Sequence, residues 1–204
     1  MNFEISTSKL SDLITKAERV TSRKSALPIL SNIMIMLEGD YLVVRATNLE
    51  IGIESRAKVM TNNSNKADNI SIAVNAGLLK NFLQQVKNSQ TAHVEVVENV
   101  LTISTEKSTA DIAVESATDF PTLPSVGQDS EKFNLSSEAF NNGVASVWYA
   151  AATSTMKPEL SSIYIHTHNN ELYFVATDTF RLAEKVVSNS VKSELSLLIP
   201  SQNA

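Results

Sequence analysis

Few side chains in this sequence have the types and spacing that catalysis or metal binding requires. His166 and His168 are two residues apart with Glu171 nearby, so a strand would turn both imidazoles to one face, where they could hold a metal ion. Asp178 and Arg181 could form an acid–base pair. The histidines, however, stand at a predicted hairpin tip, where exposed polar residues are common. The pattern therefore argues against a metal site.

A structural role suits Asp178 better than a catalytic one. An internal repeat with an offset of 130 residues places Asn48 at the position that matches Asp178. An amide cannot act as an acid or a base in catalysis. The chain also contains no cysteine, no glycine-rich phosphate loop and no G-x-S-x-G motif. These absences disfavour an enzyme.

A basic stripe on the first predicted helix is a stronger functional signal. A helix over 8–21 would bury one apolar face against a sheet. Its opposite face carries Lys9, Asp12, Lys16, Arg19 and Arg23 at spacings of three and four residues. Periodicity alone gives about equal weight to a solvated helix face and to a face turned toward phosphates.

The composition indicates an ordinary globular protein. The 204 residues are 43% hydrophobic, with no apolar run long enough for a membrane span and no signal-peptide pattern, so we expect a cytoplasmic protein. The net charge is -5. The first 90 residues carry a net positive charge and the rest a net negative one, which argues against a protein that simply coats nucleic acid.

The elements that position these residues are predicted to follow a repeated order. The pattern of the first 116 residues predicts two consecutive βαβββ units, and 117–130, with two prolines and a glycine, is predicted to be a linker. The predicted helices span 8–21 and 76–87. The predicted strands span 1–6, 30–37, 41–47, 50–59, 69–74, 93–97, 100–105 and 109–116.

A second copy of the pattern begins after the linker. At an offset of 130 residues, eight positions between 28–47 and 158–177 are identical without a gap. The repeat predicts a strand at 133–136, a helix at 138–151, and strands at 161–167, 171–177, 180–189 and 195–199. Nothing in the sequence matches 76–125, so we expect a fragment, or a second domain completed by association.

The chain resembles the bacterial sliding clamp, the beta subunit of DNA polymerase III. The resemblance rests on Leu27-Pro28-Ile-Leu, on Ala117-Thr-Asp-Phe120-Pro121, and on Val175-Ala-Thr177-Asp178-x-x-Arg181-Leu182-Ala183. It implies an α+β DNA clamp fold, with two helices packed on antiparallel sheets in each domain. Residues 1–125 would form a complete first domain and 126–204 the N-terminal part of a second.

The resemblance implies a non-catalytic processivity factor without cofactor or metal. Such clamps close head to tail into a ring around double-stranded DNA and hold it without sequence preference. They tether the polymerase III catalytic subunit, the clamp loader and other proteins that carry a clamp-binding motif, and no membrane is involved. The alternative is a truncated clamp or regulator that acts as a protein-interaction module without closing a ring.

The resemblance also implies site residues. Lys24 matches a DNA-contacting position and Arg23 could assist it, whereas Lys16, Arg19, Lys80 and Lys87 are inferred from the helix faces. The partner-peptide groove is matched at Lys157, Leu160, Thr177, Arg181 and Leu182. Thr179 and Phe180 depart from the family pattern there, so Phe180 could reshape the groove. Since the other half of the groove would follow Ala204, we expect weak partner binding.

Overall fold

The computed structural model divides the chain into two compact units, Met1–Pro124 and Ser125–Ala204. It describes residues 1–21, 27–61, 70–86, 89–124, 127, 134–154, 156–187 and 194–201. Within these ranges, no helix is long and apolar enough to cross a membrane.

The described part of the first unit consists of two similar halves, each with one strand, one helix and four further strands. In the first half, β1 (Asn2–Ser6) and α1 (Thr7–Glu18) precede β2 (Asn32–Glu38), β3 (Tyr41–Thr47), β4 (Gly52–Lys58) and β5 (Met60–Thr61). In the second half, β6 (Ser71–Asn75) and α2 (Ala76–Gln85) precede β7 (Thr91–Val97), β8 (Val100–Ser104), β9 (Thr109–Ala113) and β10 (Glu115–Ser116). Short 3-10 turns occupy Pro28–Ser31 and Ala117–Asp119.

The two halves of the first unit exchange their first strands. The described strands form two antiparallel five-stranded sheets, one in the order β5-β1-β7-β8-β9 and the other in the order β10-β6-β2-β3-β4. Strand β1 thus pairs with the second half and β6 with the first. Because each half completes the other's sheet, the halves depend on each other for their backbone hydrogen bonds.

Two strands that the sequence predicts as continuous are broken where the chain changes sheets. The predicted strand 50–59 becomes β4 and β5, and 109–116 becomes β9 and β10. A buried valine stands at each break. The amide of Val59 donates to the Asp40 carbonyl, and that of Val114 to the Asn99 carbonyl, both at 2.9 Å. Alternation within a strand cannot reveal this change, because the residues on both sides of it still alternate.

The helices of the first unit lie side by side and pack their apolar faces on the sheets. Helix α1 buries Leu10, Leu13, Ile14 and Ala17, as its spacing predicts. Helix α2 begins at Asn75, whose side-chain oxygen accepts from the amide of Leu78 at 3.1 Å. The polar face of α1 is left in solvent.

The second unit repeats half of this arrangement. It contains α3 (Ser137–Val147), β11 (Ser162–His168), β12 (Glu171–Thr177), β13 (Leu182–Val187) and β14 (Ser196–Pro200). Its described sheet has the order β13-β12-β11-β14, which matches β4-β3-β2-β6. The register agrees as well, since Ile163 pairs with Ile199 as Ile33 pairs with Val74.

Three expectations for the second half of the chain are wrong. Residues 134–136 form no strand, since the first unit's equivalent strand, β1, pairs with β5 and β7, and the described part of the second unit contains no counterpart of either. The helix predicted at 138–151 ends at Val147 and tightens into a 3-10 turn over Trp148–Ala150. The predicted linker does not start at 117, because Ala117 and Phe120 are buried.

Helix α3 approaches its sheet more closely than a side chain would permit. A Cβ placed on Gly143 would lie 2.5 Å from the ring of Phe174, which is fully buried in β12. The repeat places Leu13 and Val44 at the matching positions of the first unit. The first unit thus has a large residue on the helix and a smaller one on the strand. The second unit has the reverse, a glycine on the helix and a phenylalanine on the strand.

Candidate DNA-facing helices and peptide groove

The exposed face of α1 carries two of the cations that the sequence assigns to DNA. Lys16 and Arg19 are both exposed, on the side of the helix opposite its buried leucines. Lys9 and Asp12 are exposed on the same helix. The face is therefore basic with one interspersed acid, and its exposed cations are accessible to a polyanion.

Lys80 lies on the neighbouring helix and is engaged by an acid of α1. Its Nζ donates to Oε2 of Glu18 at 2.8 Å, and the Glu18 side chain is only 11% exposed. The ion pair ties α1 to α2 across 62 positions of sequence. The other three predicted DNA contacts, Arg23, Lys24 and Lys87, lie outside the described residues.

The residues of the predicted groove come together at one end of the second unit's sheet. Strand β11 begins just after Leu160, β12 ends at Thr177, and β13 begins at Leu182, which pairs with Thr177. Lys157 lies in the turn before Leu160, whose amide donates to the Lys157 carbonyl at 3.0 Å. Leu182 is 66% exposed, so this end of the sheet offers an apolar side chain to solvent.

The turn between β12 and β13 is stabilised by the side chains of Thr177 and Asp178. Oγ1 of Thr177 donates to the Arg181 carbonyl at 2.7 Å and accepts from the Thr179 amide at 3.1 Å. Oδ1 of Asp178 accepts from the amides of Phe180 and Arg181, both at 3.0 Å. Thr179 has a φ of 79°, and Phe180 is 97% exposed. The departure at these two residues thus places an exposed phenyl ring beside the residues of the predicted groove.

The first unit builds the same turn from Thr47 and Asn48. Thr47 bonds the carbonyl of Ile51 and the amide of Leu49, and Asn48 Oδ1 accepts from the amides of Glu50 and Ile51. Leu49 has the matching positive φ of 76°. Since an amide serves as well as a carboxylate, this role of Asp178 needs no proton transfer.

Asp178 has one interaction that Asn48 lacks. Its Oδ2 accepts from Nε of Arg181 at 2.9 Å. Burial alone would raise the pKa of Asp178, but hydrogen bonds from the Arg181 and Phe180 amides and from the guanidinium outweigh it and lower the pKa. The carboxylate is therefore ionised at neutral pH and holds the guanidinium of Arg181 at the turn between β12 and β13.

The first unit shows how an apolar segment lies on the matching sheet. Residues 117–124 follow β10, and Phe120 is buried although it lies outside the main core. A Cβ on Gly52 would meet the side chain of Leu123, so Leu123 lies directly over β4. Gly52 matches Leu182 in the repeat. The face that Leu123 covers in the first unit thus corresponds to the face that Leu182 exposes in the second.

The metal hypothesis gains no support from the described residues. Among them, no group of three or more histidine, aspartate or glutamate side chains is placed to hold an ion. His166 is instead stacked between Tyr164 and Tyr173, with ring centroids 4.9 and 5.0 Å apart. Its environment is that of an aromatic side chain on a sheet surface.

Pattern analysis missed Glu18 and the packing of residues 117–124. Nothing in the sequence links Glu18 to Lys80, because the two are adjacent only after both helices pack. One feature of the sequence does indicate that 117–124 is packed: Phe120 is an aromatic residue in an otherwise polar segment, and such a side chain is usually buried.

Comparisons with known proteins agree over nearly the whole chain. Residues 1–124 match the family model of the DNA polymerase III beta subunit, N-terminal domain, and 134–204 match that of its central domain. The beta sliding clamp of Buchnera aphidicola subsp. Rhopalosiphum padi is 25% identical over 205 residues, which cover 99% of this chain and 54% of that protein. The Pseudomonas putida clamp is 25% identical, over 95% of this chain and 52% of its own.

Solved structures show the same fold. The DNA polymerase III subunit beta from Pseudomonas aeruginosa superposes with a TM-score of 0.89 at 24% identity, covering 99% of this chain and 54% of that one. A Pseudomonas aeruginosa clamp bound to griselimycin gives 0.87 at 24% identity, with the same coverage. The Thermotoga maritima subunit gives 0.84 at 22%, covering 98% and 53%. The chain therefore spans about half the length of these relatives.

Proposed function

Because the chain belongs to the DNA polymerase III beta subunit family, through its N-terminal and central domains, we propose that it acts as a DNA-tethering clamp in the cytoplasm. The role is non-catalytic. The chain contributes to a ring around double-stranded DNA, formed head to tail with further clamp domains. The ring keeps the polymerase III catalytic subunit, the clamp loader and other motif-bearing proteins on the template.

The observation that carries the DNA contact is the exposed basic face of α1. Lys16 and Arg19 lie on it in exposed positions, so phosphates can reach them without any rearrangement of the helix packing. Arg23, Lys24, Lys80 and Lys87 belong to the same proposal. Contacts to phosphate alone carry no sequence information, which suits a protein that slides.

Replacing Lys16 and Arg19 together by glutamine tests this face. Each lost phosphate contact reduces the slope of log K against log salt by about 0.9, so the double change should weaken duplex binding about fiftyfold at roughly 0.1 M salt. Fluorescence anisotropy of a labelled duplex over a salt series measures both quantities.

Lys58 and Lys107 supply the matched control. Both are exposed, Lys58 in β4 and Lys107 in the turn between β8 and β9, and their double replacement by glutamine removes the same net charge outside α1. We expect little change in affinity from it. Equal losses from both double variants would contradict the assignment of the DNA-facing surface to α1.

The same proposal places the partner groove at Lys157, Leu160, Thr177, Thr179, Phe180, Arg181 and Leu182. Two observations support it. Leu182 is exposed beside an arginine that Asp178 holds. The matching sheet face of the first unit is covered by the segment 117–124, through Leu123. An apolar segment with a few polar anchors would fit such a place.

Griselimycin is a suitable probe of the groove, since a structurally similar clamp binds it. We expect weak binding to this chain and a further loss of about tenfold when Leu182 is replaced by serine, because burying a leucine contributes about 1.5–3 kcal/mol. Isothermal titration calorimetry measures both.

Leu49→Ser is the control for this change, because Leu49 is similarly exposed, at 61% against 66%, in the matching turn region of the first unit. It should leave griselimycin binding unchanged. Unchanged binding by the Leu182→Ser variant would remove Leu182 from the groove.

A further inference from the structure

Glu18 is an acid embedded in the basic helix surface. Its side chain is 11% exposed and its Oε2 lies 2.8 Å from Nζ of Lys80, whose own side chain is 26% exposed. The C-terminal end of α1 thus carries a carboxylate that faces α2, followed directly by the exposed Arg19 that caps the helix. Lys80 donates a hydrogen bond inside the protein, so its charge is partly compensated before any phosphate approaches.

A compensated lysine contributes less to polyanion binding than a free one. Binding of proteins to duplex DNA depends on how many phosphates their cations neutralise, and a carboxylate beside a cation reduces that number. The paired charges largely cancel at a distance, whereas Lys16 and Arg19 are exposed and the described residues show no ion pair for either of them. The number of effective phosphate contacts is thus smaller than the number of cations on the helices.

We propose that Glu18 limits the affinity of the helix surface for DNA by holding Lys80 in an ion pair between α1 and α2. This inference rests on the proposed DNA-facing role of α1. The limit matters for a protein that moves along its ligand, because each additional phosphate contact must be broken at every step. Glu18 is therefore a residue that determines affinity without touching the nucleic acid.

The test is a double-mutant cycle with Glu18→Gln and Lys80→Gln. Glutamine at position 18 keeps an oxygen that can accept from Lys80, so the two helices stay connected. With a labelled duplex as probe, Glu18→Gln should tighten binding about three- to tenfold at roughly 0.1 M salt and steepen the salt slope by up to about 0.9. Lys80→Gln should weaken binding, and the double variant should bind more tightly than Lys80→Gln alone.

Control variants separate the position of the charge from its amount. Glu106→Gln removes one negative charge from an exposed site in the turn between β8 and β9 and should leave affinity nearly unchanged. Equal tightening by Glu106→Gln and Glu18→Gln would overturn the proposal, because net charge would then suffice. Thermal unfolding of every variant checks that the helix pair remains folded.

Three further outcomes overturn the inference, and they are distinguishable. If Lys16→Gln/Arg19→Gln weakens binding but Glu18→Gln changes nothing, α1 faces DNA and Glu18 does not limit its affinity. The same holds if the double variant binds as weakly as Lys80→Gln alone, since Lys80 then acts on phosphate independently of Glu18. If none of these variants changes binding, the DNA-facing role of α1 fails together with the inference.

Discussion

Replacing Gly143 by leucine is expected to destabilise the second unit by about 3 kcal/mol or more. Even a Cβ at this position would lie 2.5 Å from the Phe174 ring, and Phe174 is fully buried and cannot swing away. Overpacking of this kind typically costs about 1–3 kcal/mol for a small insertion, and leucine adds four carbons. The gain of up to about 1 kcal/mol in helix propensity is too small to offset it.

The first unit supplies the compensating change, because it has Leu13 and Val44 where the second has Gly143 and Phe174. We expect Phe174→Val alone to leave a cavity and to be destabilising. The double variant Gly143→Leu/Phe174→Val should recover at least half of the loss caused by Gly143→Leu. Urea unfolding followed by fluorescence of the single tryptophan, Trp148 at the end of α3, reports on this unit.

Additive losses in the double variant would contradict the exchange of volumes across α3 and β12. So would a Gly143→Leu protein that is as stable as the parent. Residues in contact normally show such coupling, whereas distant residues do not.

Replacing Phe120 by alanine is expected to destabilise the first unit by about 3–5 kcal/mol. Phe120 is only 6% exposed and directly follows the 3-10 turn Ala117–Asp119, which contacts β6, so the truncation removes buried packing. A linker residue would not show this effect. Hydrogen exchange of the β2 and β6 amides measures the change in the unit that contains Phe120.

Phe180→Ala is the matched control, because the same side chain is 97% exposed at position 180. It should leave the unfolding free energy within about 0.5 kcal/mol of the parent. Similar losses from both substitutions would contradict the packing of residues 117–124. The pair therefore distinguishes a buried aromatic residue from an exposed one that is available to a partner.

The sequence alone determined the repeat and most of the elements. The 130-residue offset aligned β11, β12 and β13 with β2, β3 and β4, and the structure shows that the two sets of strands are paired in the same order. The clamp fold and the family were also recognisable, because the turn motif at Thr177–Arg181 is local in sequence. Alternation and helical periodicity were enough because each reports on one element at a time.

Which elements meet is visible only in the folded chain. The exchange of β1 and β6 between sheets, the change of sheet at Val59 and Val114, and the burial of Phe120 all depend on contacts between distant parts of the chain. The same is true of Lys80. Its position on a helix face predicts an unpaired cation, but in the folded chain its Nζ lies 2.8 Å from Oε2 of Glu18 on α1. Periodicity shows which face of a helix is polar, but the charge that such a face offers to DNA depends on its neighbours in space.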